Sequence, residues 1–362
     1  MLPIFAAFLN LDTAEPYMHR CFQLAKLGMG KVAPNPMVGA VLVHDGRIIG
    51  EGYHRFFGGP HAEVECLDSV SAKHQSLIAG SELFVSLEPC AHYGKTPPCT
   101  ELVIRWGIKK LVIGCEDPFP QVAGKGISAL EAAGVHVQRS QHRDEALALN
   151  KRFITFHTEQ RPYVILKWAQ TGDGMIGHGK KDHPLKISSP ATDRLVHSWR
   201  SEEAGILVGT NTALWDDPQL TTRLVPGRHS TRIVVDRNLR LPAHLRIFGA
   251  EATTIILNEK IDKTEGHLKW KKVTAGASEV QDMLGSLYEL NIQSILVEGG
   301  SSILQSFIDS GMWDEARVIT NTKLILGSGV PAPVLTQQQV AASMYVAGDR
   351  IDTFTRAKQN NL

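Results

Sequence analysis

The sequence has no apolar run long enough to cross a bilayer, no low-complexity tract and no evident internal repeat. The most apolar stretch near the N-terminus, residues 2–9, is much shorter than the roughly 20 residues that a membrane-spanning helix needs. No basic residue precedes it, as a secretory signal would require. We therefore expect neither a signal peptide nor a membrane anchor, and we predict no membrane partner.

Cysteine is scarce, and the number of cysteines is odd. The chain has five: Cys21, Cys66, Cys90, Cys99 and Cys115. An odd count in a chain of this length does not indicate a disulfide scaffold, so we expect the reducing environment of the cytoplasm. An excess of charge is also absent, because 38 basic residues face 37 acidic ones and aromatic residues make up 7%. Nucleic acid is therefore not expected as the main partner, since binding its backbone takes a basic surface.

The length of 362 residues favours two domains, each with its own hydrophobic core. Segments with strand character alternate with segments of helical periodicity in both halves, which is typical of open α/β sheets covered by helices on both faces. The pattern breaks at residues 158–162, where charged residues and a proline separate the halves. We predict one domain over residues 1–158 and a second over residues 159–362.

Three metal-ligating residues and one carboxylate follow each other in the first half. They are His61, Glu63, Cys90 and Cys99, and Pro89 directly precedes the first cysteine. One imidazole and two thiolates can hold Zn²⁺ and leave a fourth position open, as in catalytic rather than structural zinc sites. Glu63 is not needed as a ligand and is placed to accept and return a proton.

The cysteine spacing departs from the general zinc deaminase pattern, H-x-E…P-C-x-x-C. Eight residues separate Cys90 from Cys99, where the pattern has two. We expect a helix to begin at Pro89-Cys90 and residues 100–106 to continue helical, so that Cys99 also lies near a helix N-terminus, which favours thiolate.

The second half contains a glycine pair between a strand and a helix. Residues 294–297 read as a buried strand, Glu298-Gly299-Gly300 follow, and residues 303–309 read as a helix. Such a corner can bind phosphate through backbone N–H groups at the helix start. A glycine pair can equally form only a turn, and this one is not the Rossmann G-x-G-x-x-G.

The whole chain resembles the bifunctional riboflavin-biosynthesis deaminase/reductase family. The matching motifs of the first half are Pro34-Asn35-Pro36-x-Val38-Gly39, Gly52-Tyr53-His54, His61-Ala62-Glu63-Val64, Leu87 to Cys99, Asp117-Pro118 and Val122-Ala123-Gly124-x-Gly126. Those of the second half are Lys167-x-Ala169, Asp173-Gly174, Arg200, Thr210-x-Thr212, Asp216-Asp217-Pro218, Leu220, Arg223 and Val297 to Gly300. The wide Cys90–Cys99 spacing is a feature of this family.

The resemblance implies a cytidine-deaminase-like three-layer α/β/α domain followed by a dihydrofolate-reductase-like α/β domain. It implies zinc-dependent deamination of a diaminopyrimidinone ribosylamine 5′-phosphate, a small molecule, and then NADPH-dependent reduction of its ribosyl group to ribityl. In the first domain it implies zinc on His61, Cys90 and Cys99, proton transfer by Glu63, and substrate contacts from Asn35, His54 and Lys95.

In the second domain the resemblance implies substrate contacts from Pro184, Arg200, Leu220, Arg223 and Glu298. It implies cofactor contacts from Ala169, Lys186, Thr212, Asp216, Arg237, Gly300, Ser301, Ser302, Ile303, Leu304, Gln305 and Ser306. Lys167 and Asp216 are the candidates for the proton donor of the reduction. A homo-oligomer is compatible with the sequence, which does not specify an assembly.

One segment departs from the family pattern. Relatives have an acidic-Ser-x-Trp-Ile motif before the residue that caps the next helix, and this chain reads His183-Pro184-Leu185-Lys186-Ile187. Pro184 stands at the serine position and Lys186 at the tryptophan position. Cofactor affinity is therefore expected to differ from the family norm.

Two other functions are compatible with the metal motif alone. A deaminase of bases in RNA, with the second half as a binding module, would need basic patches with interleaved aromatic residues. A structural zinc site in an interaction protein would need a fourth protein ligand, for which His92 is the nearest candidate.

Overall fold

The computed structural model of the protein describes residues 15–93, 97–119, 123–179, 185–276 and 278–357. The chain divides into two compact units, Met1–Glu159 and Gln160–Leu362, here called unit 1 and unit 2. In the described residues, no helix combines the length and the apolar composition needed to cross a membrane.

Unit 1 is built on a five-stranded sheet. Its elements are α1 (Glu15–Lys26), β1 (Gly39–His44), β2 (Arg47–Tyr53), α2 (Ala62–Asp68), a 3₁₀ helix (Ala72–Gly80), β3 (Glu82–Val85), α3 (Cys99–Arg105), β4 (Lys110–Ile113), α4 (Lys125–Ala132), β5 (His136–Arg139), α5 (Arg143–Leu149) and α6 (Lys151–Glu159). The strand order is β2-β1-β3-β4-β5, with β1 antiparallel to β2 and β3, and β3, β4 and β5 parallel.

Alternate residues of β1 enter two separate cores, which gives unit 1 three layers. Ala40 and Leu42 pack with apolar residues of α2, α3 and α4 on one face. Val41 and Val43 pack with residues of α1 and α5 on the other face. This alternation follows from the period of two in a β-strand, and it confirms the predicted α/β sheet covered on both faces.

Unit 2 is built on a ten-stranded sheet. Its elements are β6 (Tyr163–Thr171), β7 (Met175–Gly177), α7 (Pro190–Glu202), β8 (Gly205–Gly209), α8 (Thr210–Asp216), β9 (Thr231–Val235), a 3₁₀ helix (Arg246–Phe248), β10 (Thr254–Asn258), β11 (Lys263–Glu265), β12 (Leu268–Lys272), α9 (Glu279–Glu289), β13 (Ser294–Val297), α10 (Ser301–Asp309), β14 (Glu315–Asn321), β15 (Val330–Pro331), β16 (Gln338–Val346) and β17 (Asp349–Arg356). The strand order is β11-β12-β10-β9-β8-β13-β6-β14-β17-β16, and β7 pairs separately with β15.

The central strands of unit 2 are parallel from β12 to β14, and the strands at both edges are antiparallel. One face of the sheet packs against α9 and α10, and the other packs against α7 and α8. The carboxyl ends of parallel strands meet at one edge, where β6, β8, β9 and β13 lead into loops and helix starts. Ligands of open α/β sheets bind at such an edge.

The prediction of a helix beginning at Pro89-Cys90 is wrong. Residues 88–93 are not helical, and α3 begins at Cys99, with Pro98 in an extended conformation as its N-cap. Proline disfavours helical geometry in the residue before it, so the pair Pro97-Pro98 prevents a helix from starting earlier. Helices α5 and α6 follow each other directly and meet at Asn150.

Candidate functional site

Three metal-ligating side chains converge in unit 1, one from the start of α2 and two from the segment between β3 and α3. His61 caps α2, Cys90 lies in the loop after β3, and Cys99 is the first residue of α3. His61 Nδ1 lies 3.3 Å from Cys99 Sγ and 3.6 Å from Cys90 Sγ, and the three ligand atoms are within 4.8 Å of one another. With usual Zn–N and Zn–S bond lengths, an N···S edge of a zinc tetrahedron is about 3.5 Å. The three side chains therefore fit a zinc ion.

The hydrogen bonds of this cluster favour a thiolate at Cys90. The Cys99 thiol and the Cys99 backbone N–H both donate to Cys90 Sγ, the latter at 3.3 Å, and His61 adds a further contact. These bonds outweigh burial and lower the pKa of Cys90 to about 4. The hydrogen bond to Cys90 also raises the pKa of His61. Although Cys90 is outside a helix, its sulfur accepts the first N–H of α3 and so gains the helix N-terminal environment.

Glu63 lies in the first turn of α2 and is only 3% exposed. Burial raises the pKa of its carboxyl group, and the neighbouring Cys90 thiolate raises that pKa further. A carboxylate with a raised pKa beside a metal position is suited to accept and return a proton near neutral pH.

A hydrogen-bond relay orients Asn35 next to the metal-ligating residues. His54 Nδ1 lies 2.8 Å from the carbonyl oxygen of Pro60, and His54 Nε2 lies 3.1 Å from Asn35 Nδ2. A carbonyl oxygen can only accept, so Nδ1 carries the proton and Nε2 accepts from the Asn35 amide. Burial lowers the pKa of His54, in agreement with a neutral ring. The relay leaves the Asn35 carbonyl oxygen as the group that can face a ligand.

Two residues that support this cluster had no assigned role in the sequence analysis. The Asn150 amide pairs with the backbone of Met37, accepting from its N–H at 2.8 Å and donating to its oxygen at 2.9 Å. No local sequence signal indicates this contact, since 113 residues separate the two positions. Glu88 is buried, and its carboxylate accepts four backbone N–H groups of the segment that leads into α4. The sequence does offer a signal for Glu88, because an acidic residue directly after a buried strand is unusual unless its carboxylate has hydrogen-bond partners.

Among the described residues, His92 is not part of the group of potential metal ligands formed by His61, Cys90 and Cys99. The group therefore has three members, and the fourth position that a structural zinc site would close is not filled by His92. Two of the predicted substrate residues, Lys95 and Pro184, lie outside the described residues.

A cleft of about 840 Å³ lies in unit 2 at the carboxyl ends of the central strands. A cavity of this size is in the range that holds cofactors and substrates. The predicted residues that line it are Ala169, Lys186, Thr212, Asp216, Arg237, Glu298, Gly300, Ser301, Ser302, Ile303, Leu304 and Ser306. Lys167 lines it as well, and burial lowers the pKa of its ammonium group.

The glycine pair forms the corner between β13 and α10 in this cleft. Gly300 is the N-cap of α10 and has φ of 73°, a conformation that side chains other than glycine rarely adopt. A Cβ atom on Gly299 would lie 2.8 Å from Thr212 Cγ2, so this position also requires glycine. The backbone can thus approach a ligand closely at a helix start, where N–H groups are unpaired.

A buried group of charges forms one end of the cleft. Arg200 donates from Nε and Nη2 to the two carboxylate oxygens of Glu298, at 2.6 and 2.8 Å, and Lys167 Nζ lies 3.5 Å from the same carboxylate. Burial alone would raise the pKa of Glu298, but the charges of Arg200 and Lys167 outweigh it and lower the pKa to about 2. Glu298 is therefore a fixed anion between two cations.

Four predicted residues do not line the cleft. Arg200 donates to Glu298, which does line the cleft, and Leu220 is buried in a hydrophobic core. Arg223 is exposed, and its backbone N–H donates to His197 Nδ1. Gln305 accepts from the Val334 N–H at 2.9 Å and donates to Asp309 at 2.7 Å, which directs it away from the helix start.

Lys186, at the position of the family tryptophan, lies at the edge of the cleft and forms an ion pair with Asp193. The other carboxylate oxygen of Asp193 accepts from Ser188 Oγ at 2.8 Å. The side chain at this edge of the cleft is therefore a cation that is held by a carboxylate. Arg237 is likewise paired, with Glu279.

Comparison with known proteins shows similarity over both units. The model for the cytidine and deoxycytidylate deaminase zinc-binding region matches residues 11–115, and the model for the RibD C-terminal domain matches residues 162–351. The riboflavin biosynthesis protein RibD of Aquifex aeolicus is 38% identical over 341 residues, which cover 93% of this chain and 94% of that protein. RibD of Escherichia coli is 34% identical and covers 86% of this chain and 88% of its own length.

A solved structure from Thermotoga maritima gives the same result for the fold. It is described as a diaminohydroxyphosphoribosylaminopyrimidine deaminase/5-amino-6-(5-phosphoribosylamino)uracil reductase. Its TM-score is 0.87 at 37% identity, covering 96% of this chain and 99% of that chain. Acinetobacter baumannii RibD gives a TM-score of 0.86 at 28% identity. The predicted cytidine-deaminase-like and reductase folds are confirmed.

Proposed function

This chain belongs to the RibD family of bifunctional riboflavin-biosynthesis enzymes, and we propose which of its residues carry out the two reactions. Its deaminase domain comprises residues 1–158 and its reductase domain residues 159–362. The substrate is 2,5-diamino-6-hydroxy-4-(5-phosphoribosylamino)pyrimidine, a small molecule. Its ring amino group is removed first, and its ribosyl group is then reduced to ribityl.

His61, Cys90 and Cys99 hold the zinc ion of the deaminase site. The observation that carries this assignment is the convergence of one imidazole nitrogen and two sulfurs at distances that match the edges of a zinc tetrahedron. Zinc bound there lowers the pKa of a water molecule, so that the water becomes a nucleophile at neutral pH.

Glu63 accepts the proton of the attacking water and returns it to the departing amino nitrogen, which leaves as ammonia. Its burial and raised pKa support this role, because a proton carrier must change protonation state twice in each turnover. The Asn35 carbonyl oxygen, oriented by neutral His54, accepts from N–H groups of the pyrimidine. Lys95 binds the substrate phosphate.

The cleft of unit 2 holds NADPH and the deaminated substrate. The corner of Gly300 to Ser306, apart from the side chain of Gln305, receives phosphate of the cofactor. Ala169, Lys186, Thr212, Asp216 and Arg237 complete the binding of the cofactor. Bound NADPH supplies a hydride to C1′ of the ribosyl group. Glu298 contacts the substrate at the end of the cleft, and Arg200 holds the Glu298 carboxylate in place. For Pro184, Leu220 and Arg223, a contact with the substrate rests on the resemblance to the family alone.

Two cleft residues can supply the proton that accompanies hydride transfer. Lys167 has a pKa lowered by burial and lies 3.5 Å from Glu298, which holds it in place. Burial raises the pKa of Asp216. These shifts support Lys167 as the stronger candidate, because an ammonium group with a lowered pKa gives up its proton more readily.

We also propose that the enzyme works in the cytoplasm and does not act on nucleic acid. All five cysteines are free thiols, and two of them are placed as metal ligands that need a reduced state. The chain has 38 basic and 37 acidic residues and therefore no excess of positive charge for a polyphosphate backbone.

The replacement Glu63→Gln tests the deaminase assignment. We expect ammonia release to fall by at least about 100-fold, because the general base is lost. Zinc content and NADPH-dependent reduction of the deaminated intermediate should equal those of the wild type. The matched control is Glu65→Gln on the same helix, whose carboxylate pairs with Arg55 and should not affect ammonia release. Retained deamination in Glu63→Gln would refute the role of Glu63.

A further inference from the structure

We propose that unit 1 contains a second metal site, formed by Glu15, His19 and His142, that binds a divalent transition-metal ion such as Zn²⁺. We call this group the α1–α5 cluster. It contains none of the residues His61, Cys90 and Cys99, and no step proposed above uses it.

The ligand atoms of the α1–α5 cluster converge from two helices. Glu15 and His19 are one turn apart on α1, and His142 is the N-cap of α5. Glu15 Oε1 lies 3.6 Å from His19 Nε2 and 4.0 Å from His142 Nε2. The ligand atoms of all three residues are within 4.8 Å of one another. Two imidazoles and a carboxylate at such separations can share one ion with only small side-chain movement.

His142 Nε2 is the most informative atom of the cluster. It is buried and has no hydrogen-bond partner in the described part of the chain. A buried polar atom without a hydrogen bond costs free energy, and a ring nitrogen that faces a carboxylate and a second imidazole can regain that free energy by binding a cation. The ring centroids of His19 and His142 are 4.5 Å apart.

Glu145 provides the outer support that metal-bound histidines usually have. Its Oε2 lies 3.3 Å from His19 Nδ1, the ring nitrogen opposite to the one that faces Glu15. With the ring proton on Nδ1, the nitrogen that faces this carboxylate, the lone pair of Nε2 is available for a metal ion. Such a carboxylate–histidine–metal arrangement fixes both the tautomer and the ring orientation.

Charge and ligand type define the ion that the cluster would take. Two carboxylates, Glu15 and Glu145, lie beside two imidazoles, so a divalent cation neutralises a local excess of negative charge. Imidazole with carboxylate suits Zn²⁺, Co²⁺ or Ni²⁺ better than Mg²⁺ or Ca²⁺, which prefer oxygen ligands. Bound there, the ion joins the start of α1 to the start of α5, two helices on the same face of the sheet.

Metal titration of the full-length protein, already loaded with zinc at His61, Cys90 and Cys99, tests the proposal. Calorimetry with Zn²⁺ should show one additional equivalent in the wild type. Its affinity should fall at least tenfold in His142→Gln and in His19→Gln, and by about 10- to 100-fold in Glu145→Gln, as for other outer-shell partners. His136→Gln, an exposed histidine on β5, is the matched control and should bind like the wild type.

Cobalt spectroscopy distinguishes the two sites, since only the site with cysteines can give thiolate-to-cobalt charge-transfer absorption. The additional equivalent of Co²⁺ should add absorption of nitrogen and oxygen ligation alone. Deamination by the His19 and His142 variants should equal that of the wild type, which shows that they fold. Absence of an additional equivalent in the wild type, or an additional equivalent unchanged in both histidine variants, would overturn the proposal.

Discussion

His197 accepts a hydrogen bond on Nδ1 from the backbone N–H of Arg223, at 2.9 Å, and its ring is buried. Burial lowers the pKa of this ring, and the charges of Arg200 and Arg223 lower it further, to about 4, although Glu298 and Asp193 act in the opposite direction. The folded protein therefore holds His197 neutral. Protonation would remove the acceptor that fixes the segment containing Arg223.

We predict that unit 2 loses stability as the pH falls from about 6.5 towards 4. The unfolded chain binds a proton at His197 near the ordinary pKa of about 6.5, whereas the folded chain does so only near 4. The unfolded state therefore takes up more protons in this window, so the contribution of His197 is complete above pH 6.5 and is lost progressively as the pH falls towards about 4. Tryptophan fluorescence during thermal unfolding at pH 7 and pH 5 measures this loss.

Tryptophan emission reports mainly on unit 2, because it contains all of the six tryptophans except Trp106. In His197→Gln the amide oxygen can still accept from Arg223, but the side chain does not titrate. This variant should lose less stability between pH 7 and pH 5 than the wild type. An equal loss in both proteins would show that other groups cause the acid sensitivity.

The sequence was sufficient to predict the residues that carry chemistry in unit 1, but not those that position them. His61, Glu63, Cys90 and Cys99 form a motif in which residue type and order indicate zinc chemistry. Asn150 has no motif, because its role depends on a contact with Met37 across 113 residues. Contacts of this kind arise from tertiary packing, which a single sequence does not display.

Glu88 links the end of β3, the loop that contains Cys90, and the segment that leads into α4. It follows β3, directly precedes Pro89-Cys90, and accepts the N–H groups of Asp117, Gly124, Gly126 and Ile127 at 2.8 to 3.2 Å. The last two of these are at the start of α4. A carboxylate that accepts four N–H groups satisfies donors that would otherwise be buried without partners.

We predict that Glu88→Gln weakens zinc retention by at least about tenfold and destabilises unit 1 by about 2–4 kcal/mol, because a Gln NH₂ group would face two of the N–H donors. Zinc content after incubation with a competing chelator measures retention. The control is Glu82→Gln on β3, which removes only an exposed ion pair with Lys110 and should change stability by less than about 1 kcal/mol. Wild-type zinc retention in Glu88→Gln would contradict this role.

The corner between β13 and α10 gives a prediction for the reductase site. Gly300→Ala should raise KM for NADPH by about tenfold or more, since alanine at φ of 73° costs about 1–3 kcal/mol and its Cβ would lie 3.2 Å from Thr212 Oγ1. Ammonia release should not change. Gly285→Ala in α9, where a Cβ meets nothing within 4 Å, is the control and should leave KM unchanged. Unaltered KM in Gly300→Ala would place the cofactor elsewhere.

Element boundaries show where sequence patterns were less informative. The strands of both sheets and the helices packed on them follow hydrophobic periodicity. The architecture of α/β sheets covered by helices on both faces could therefore be predicted. The sequence predicts a helix from Pro89-Cys90 onward, but Pro97 and Pro98 delay the start of α3 to Cys99. The loop still serves the chemistry, because Cys90 accepts the first N–H of α3.

At the scale of the whole molecule, two chemically different sites occupy two compact units of one chain. Unit 1 presents soft sulfur and nitrogen ligands with a buried carboxylate, which suits hydrolytic deamination. Unit 2 presents a cleft with a glycine corner and buried charges, which suits a phosphate-bearing cofactor and substrate. Since the metal-ligating residues belong to unit 1 alone, removal of the metal should affect one reaction and not the other.

A coupled assay with a chelator tests the central claim most directly. The enzyme receives the diaminopyrimidine substrate or the deaminated intermediate, with NADPH, and ammonia release and NADPH oxidation are followed together. After incubation with the chelator, ammonia release should stop and should return when Zn²⁺ is added back, while NADPH oxidation with the deaminated intermediate continues at its original rate. Ammonia release that persists in the metal-free enzyme would contradict the account.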